Sequence, residues 1–235
     1  KRRASLVNIC NRRYPLSLSC DKPMDIFGGW QDYVSRLEKN WRAVVGENDT
    51  VVIPGDISWA MSLAEAEKDF AFIHSLPGKK LIMKGNHDYW WTTKRKMDTF
   101  LEEKGFDSLS ILHNNACRAG DFTLCGSRGW FYDAQTGNDK KVILREAGRI
   151  EMSLNEAEKL GGEVICFLHY PPVMNGEKCE EIMEVLSRHN VKRCFFGHLH
   201  GNFSAFVNNQ TVDGIKFSLI SADFLEFCPK LVEKF

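Results

Sequence analysis

The chain carries no surplus of either charge: 31 Lys and Arg residues balance 31 Asp and Glu residues. Proteins that bind nucleic acid through its backbone carry a basic excess, because each phosphate they neutralise needs a cation. That class is not indicated, although a local basic groove is compatible with a neutral total. No apolar run reaches membrane-spanning length and no signal-peptide pattern is present. None of the eight cysteines (Cys10, Cys20, Cys117, Cys125, Cys166, Cys179, Cys194 and Cys228) belongs to a Cys-x-x-Cys pair. Several lie inside apolar runs, as in Val164-Ile165-Cys166-Phe167, which reads as buried free thiol in a reducing cytosol rather than as disulfide. The expectation is a soluble, cytoplasmic protein. Repeats, low-complexity tracts and linkers are also lacking. With 235 residues, 43% of them apolar, residues 1–235 are expected to form one domain around a real core.

Apolar periodicity supplies the elements. A helical stripe runs through 30–45, with Trp30, Tyr33, Leu37 and Trp41 in register. Thr50 to Asp56 and Lys80 to Asn86 read as buried strands separated by a helix over 62–76. That order predicts parallel pairing through a right-handed crossover. A helix over 92–104, short strands near 109–113 and 121–126, and a long helix over 141–160 follow. Then come a strand at Glu163 to Leu168, a helix over 178–189 and a strand at Val191 to Phe196. Phe203 to Leu219 alternates like an antiparallel hairpin around Asp213-Gly214. The fold class is α/β, turning more β-rich toward the end.

Four strands end in polar residues able to bind metal. Asp56 follows Val-Val-Ile-Pro-Gly, Asn86 and His87 follow Leu-Ile-Met-Lys-Gly, His169 follows Val-Ile-Cys-Phe-Leu, and His198 and His200 follow Cys-Phe-Phe-Gly. In α/β sheets the crevice at the carboxyl ends of strands is where ligands bind. A carboxylate, an amide oxygen and imidazoles make a mixed N/O set. It suits Mn, Fe, Zn or a similar ion better than Mg or Ca. Two such ions can clamp the attacking and leaving oxygens of a displacement at phosphorus and generate hydroxide at neutral pH. Arg128, in Gly-Ser-Arg-Gly, is a candidate contact for a substrate phosphate. Trp59, Trp90, Trp91, Trp130 and Phe131 lie near these motifs and either wall a pocket or pack the core.

Gly55-Asp56, Gly85-Asn86-His87-Asp88, His169 and Gly197-His198-Leu199-His200 together resemble the calcineurin-like metallophosphoesterases, from about Asp21 to the tail. The resemblance implies a two-sheet α/β/β/α sandwich. It also implies two divalent ions, a small phosphorylated substrate, and hydrolysis of a phosphomonoester or phosphodiester by metal-bound hydroxide. Asp56 would bridge the ions. Asn86, His169 and His198 would bind one of them, and His200 would help to bind the other. His87 would act at the leaving group, with Asp88 orienting it or capping the next helix. The protein Ser/Thr phosphatases of this family continue Gly-Asp as Val-Asp-Arg-Gly. Here Ile57-Ser58-Trp59-Ala60 follows, so the chain looks more like small bacterial phosphohydrolases and class III cyclic-nucleotide phosphodiesterases.

One family motif is missing. The family opens with a strand ending in Asp-x-His, yet no histidine precedes His74, and Asn11-Arg12-Arg13-Tyr14-Pro15 occupies the expected place. With suitable codons, Ile9 to Pro15 read one frame over becomes Tyr-Ala-Ile-Ala-Asp-Ile-His, an apolar strand ending in that motif. A single-base frame error over residues 1–15 is therefore one reading of the segment. The other is a chain that holds one metal at most, a degenerate family member that binds a phosphate-bearing ligand or partner without turnover.

Overall fold

The computed structural model describes residues 4–6, 16, 18, 30–130, 137–174, 176–199 and 209–232. In chain order the elements are β1 (Ala4–Leu6), α1 (Tyr33–Val44), β2 (Thr50–Ile53), α2 (Glu67–Ser75), β3 (Lys79–Ile82), α3 (Lys94–Glu103), β4 (Leu109–Ile111), β5 (Ala116–Ala119) and β6 (Phe122–Ser127). They continue with α4 (Gly137–Leu160), β7 (Glu163–Leu168), β8 (Val173–Met174), β9 (Glu177–Lys178), α5 (Glu180–Arg188), β10 (Arg193–Phe196), β11 (Gln210–Val212), β12 (Ile215–Leu219) and β13 (Lys230–Val232).

Strands that read as unbroken apolar runs alternate between two cores. Val51 and Ile53 of β2 and Ile82 of β3 pack against Leu37 and Trp41 of α1, Phe70 and Ile73 of α2, and Met97 of α3. Val52 and Leu81 point the other way, onto Leu124, Ile165, Phe167 and Phe195 of the second sheet. The far faces of those strands carry Cys125, Cys166, Leu168, Cys194 and Phe196, which meet Ile150 and Leu154 of α4 and Ile182 and Leu186 of α5. Burial on both faces removes the polar half of the usual strand pattern. The result is the α/β/β/α sandwich that the family resemblance implied. One sheet has the order β13-β1-β2-β3-β4, the other β11-β12-β10-β7-β6-β5. The β2–β3 pair is parallel, as is β7–β10.

Several boundaries differ from the sequence reading. Residues 61–66 form turns, and α2 starts only at Glu67. Ser62 and Glu65 explain this: the Ser62 hydroxyl accepts from Glu65 N at 3.3 Å, and Glu65 Oε2 accepts from Met61 N at 2.9 Å. Such local bonds offer the backbone an alternative to helix. The β8–β9 hairpin and β13 were not anticipated, being too short to display alternation. Of the expected tail hairpin, β11 and β12 pair antiparallel around Asp213-Gly214, while 203–208 lie outside the described residues. Cys117, Cys125, Cys166, Cys179, Cys194 and Cys228 are free thiols. No helix among the described residues is long and apolar enough to cross a membrane.

Candidate metal centre

The site begins where β2 and β3 end. Gly55 has φ +101°, and a Cβ there would sit 2.4 Å from the Gly85 amide nitrogen; a Cβ on Gly85 would sit 2.0 Å from Asp56 Oδ1. Only glycine fits at either position, so the two loops lie directly against each other. Asp56 itself has φ 53° and His198 φ 67°. Left-handed backbone at a non-glycine residue costs about 1–3 kcal/mol and persists where surrounding contacts enforce it.

Asp88 provides much of that enforcement. Its Oδ2 accepts from Asp56 N and Gly85 N, both at 2.7 Å. Its Oδ1 accepts from Ile57 N at 2.7 Å, Ser58 N at 3.4 Å and Trp90 Nε1 at 3.1 Å. Burial pushes this carboxyl above the usual carboxylate range, while the amides of Gly85, Ile57, Asp56 and Ser58 pull it down. Both expected roles of Asp88 are thereby corrected. Its carboxylate faces the backbone of the Asp56 loop rather than orienting His87, and Thr93 caps the next helix by accepting from Lys96 N. The Asp56 side chain is fixed in turn, its Oδ1 accepting from His87 N at 2.8 Å.

The second sheet brings His169 and His198 to the same point. One ligand atom each from Asp56, His169 and His198 lies within 4.8 Å of the others. His169 Nδ1 sits 3.0 Å from the Pro54 carbonyl, so it carries the proton and donates. Nε2 then presents a lone pair 2.6 Å from Asn86 Oδ1, 3.2 Å from His198 Nδ1 and 3.6 Å from Asp56 Oδ2. His198 Nδ1 is also 3.1 Å from Asn86 Oδ1. Burial, together with the neighbouring His198, holds His169 well below the usual histidine range, so its ring is neutral. Four acceptor groups converging on one buried point suit a cation among them. An amide turned to donate from nitrogen would satisfy Nε2 without one, and counting bound metal separates the two arrangements. His200, expected as a further ligand, lies outside the described residues.

His87 stands at the rim. Its ring lies 4.8 Å from that of Trp59, and Nδ1 is 3.3 Å from the Tyr89 hydroxyl. Tyr89 is 51% exposed, so this wall faces solvent. Trp90 belongs to the core, edge-on to Phe70 at 4.9 Å. Phe131 lies outside the described residues. The Arg128 guanidinium lies 3.6 Å from Glu146, whose side chain is fully buried, and 5.0 Å from the Trp130 ring.

Sequence reasoning missed the Pro54 carbonyl that sets the His169 tautomer and Tyr170, whose ring lies 4.3 Å from that of His198. It also missed Glu146. A backbone carbonyl leaves no sequence signal. Glu146 did leave one, since it falls on the buried stripe of α4 beside Ile143, Ala147 and Ile150.

The calcineurin-like phosphoesterase family matches residues 25–202. The chain is a member of that family. It is 27% identical over 175 residues to a probable cyclic nucleotide phosphodiesterase of Fibrobacter succinogenes, covering 70% of this chain and 62% of that protein. It is 38% identical over 58 residues to the gene 66 protein of Mycobacterium phage L5, covering 25% of this chain and 28% of that one. The chain thus spans less than two thirds of either relative. Among solved structures, TT1561 of Thermus thermophilus aligns with a TM-score of 0.57 at 13% identity, covering 99% of this chain and 98% of that one. Phosphopantetheinyl hydrolase of Mycobacterium tuberculosis aligns with a TM-score of 0.56 at 12% identity, covering 99% and 97%. At such identities the likeness speaks for the fold.

Proposed function

We propose that this chain hydrolyses a phosphomonoester or phosphodiester at a dinuclear centre, without the substrate chemistry of a protein Ser/Thr phosphatase. The convergence of Asp56, Asn86, His169 and His198 acceptors on one point carries this reading. Asn86, His169 and His198 would hold one divalent ion. Asp56 would bridge to a second, which His200 would help to bind. Mn, Fe, Zn or a similar ion suits the N/O donors. Such ions neutralise phosphate charge and acidify water. The protein's own groups do the rest. Pro54 fixes the His169 tautomer, Asp88 holds the Asp56 loop, and His87 stands ready to donate a proton to the leaving oxygen.

The second ion needs the two ligands that Asn11 to Pro15 lack, and this observation favours the alternative of a degenerate, non-turning binder. Resequencing the locus tests the frame error; an unbroken frame encoding Arg13-Tyr14-Pro15 would sink it. Function is tested with p-nitrophenyl phosphate and bis-p-nitrophenyl phosphate in manganese, with metal counted per chain. Two ions and turnover are expected from a chain with the motif restored. One ion or none, without turnover, would favour the binder.

A further inference from the structure

Next to the metal ligands, two guanidinium groups share one buried carboxylate, and the Lys84 ammonium lies in the same electrostatic field. Glu146 Oε1 accepts from Arg149 at 2.6 Å, and its Oε2 accepts from the Ser127 hydroxyl at 3.2 Å. Arg128, at 3.6 Å, is left the weaker share of that carboxylate. Its Nε is buried without a hydrogen-bond partner. Lys84, between β3 and Gly85, has an ammonium with no hydrogen-bond or ion-pair partner among the described residues, yet it lies within the fields of Arg128, Arg149 and Glu146. Asp88 also acts on Lys84, but its oxygens already accept five hydrogen bonds. Positive charge thus exceeds negative in a partly buried setting, where screening by salt is weak.

The cluster is tied to the metal-binding edge. The Arg128 carbonyl accepts from both His169 N and Tyr170 N at 3.0 Å. Lys84 is two residues from Asn86. The Arg128 guanidinium rests over the Trp130 ring at 5.0 Å. A guanidinium so held, with donors to spare beside a second guanidinium and an ammonium, matches the oxygens of a phosphate.

We propose that Lys84, Arg128 and Arg149 form an anion subsite beside the metal centre that holds a second phosphate group of the substrate, one that is not cleaved. The substrate class is then a compound with two phosphates, or a phosphate and an equivalent dianion, rather than a simple monoester. This rests on the hydrolase reading above, because the scissile phosphate must sit on the metal ligands.

The test is binding, which needs no turnover. Inorganic phosphate is titrated by calorimetry into the full chain freed of metal by chelation, where the subsite alone is expected to hold it. Binding should weaken as salt rises. Lys84→Met and Arg149→Met should each weaken it at least tenfold, and Lys39→Met, on an exposed face of α1, should leave it unchanged. Arg149 also holds buried Glu146, so Arg149→Met risks the fold; Lys84→Met removes an unpaired ammonium and does not. Equal phosphate affinity in wild type and Lys84→Met, or no binding to wild type, overturns the subsite whatever the enzyme turns over. Phosphate binding that depends on Lys84 in a chain without turnover upholds the subsite while the hydrolase reading fails.

Discussion

The two sheets deliver their donors to the metal centre by different means. Asp56 and Asn86, from the first sheet, stand on two loops pressed together at Gly55 and Gly85 and tied by the carboxylate of Asp88. His169 and His198, from the second, are held by side-chain packing around Tyr170, whose ring lies 5.0 and 4.3 Å from theirs. A hydrogen bond from His169 to the Pro54 carbonyl crosses between the sheets. The first half is therefore braced through backbone, where one side chain controls several residues. The second half is braced ring by ring. Losing a brace in the first half should cost stability together with function, whereas losing a donor in the second should cost function with little loss of fold.

The largest expected effect comes from the second sheet. His198→Ala removes a donor and keeps a Cβ on the left-handed backbone at that residue, so the local strain is unchanged. Metal bound per chain should fall by one, and manganese-dependent hydrolysis of p-nitrophenyl phosphate should drop about a thousandfold, equivalent to about 4 kcal/mol of barrier. The thermal midpoint of the metal-free chain should move by only a few degrees. A large fall in that midpoint would contradict the contrast between the halves.

Asp88→Asn probes the other side. Either orientation of the amide turns its NH2 toward at least two donors: Asp56 N and Gly85 N, or Ile57 N, Ser58 N and Trp90 Nε1. Leaving buried donors unsatisfied costs about 1–3 kcal/mol each, so urea unfolding should show a loss of about 3 kcal/mol. An unchanged midpoint would mean that Asp88 is not the brace. His87→Ala should behave like neither. It removes a rim side chain that carries no metal, so metal content and stability should hold while kcat falls about a hundredfold, in the range expected for a general acid. If His87→Ala loses metal, His87 is a ligand instead.

How much of this was legible in sequence follows the same division. Asp56, Asn86, His169 and His198 stood out because each follows an apolar strand, and the fold brings all four together. The brace was misread. Asp88 lies beside His87 in sequence, and nothing in the local pattern shows that its carboxylate serves residues 31 and 32 positions away. Glycine spacing hinted at tight turns, but the Gly55–Gly85 contact exists only once β2 and β3 pair. Short strands such as β8, β9 and β13 were invisible because two or three residues carry no period. Arg128 was found as a phosphate contact, whereas Arg149 and Glu146 reach it through the packing of α4 on β6.

The smallest expected effect lies in the first sheet, at the opposite end from the metal ligands. Lys80, on β3, is fully buried, and its ammonium donates to the carbonyls of Leu76 at 2.5 Å, Gly78 at 2.8 Å and His74 at 3.3 Å. It thereby closes the C-terminal end of α2, where a positive charge also suits the helix dipole. Burial nevertheless pulls its pKa down to about 8 from the ordinary 10.5, with Glu47 and Asp107 pulling it upward. Between those two values the unfolded chain binds more protons than the folded one, so the contribution of Lys80 to stability rises with pH. Below pH 8 both states are protonated and the cost of the buried charge is fully felt; above 10.5 both are neutral and it is gone. Unfolding free energies of wild type and Lys80→Met, compared from about pH 7.5 to 10.5, should diverge in favour of wild type by on the order of 2 kcal/mol. A flat difference would show that the three carbonyls keep the ammonium charged throughout. In that case the remote end of the first sheet would rest on a permanent cation, as its site end rests on the carboxylate of Asp88.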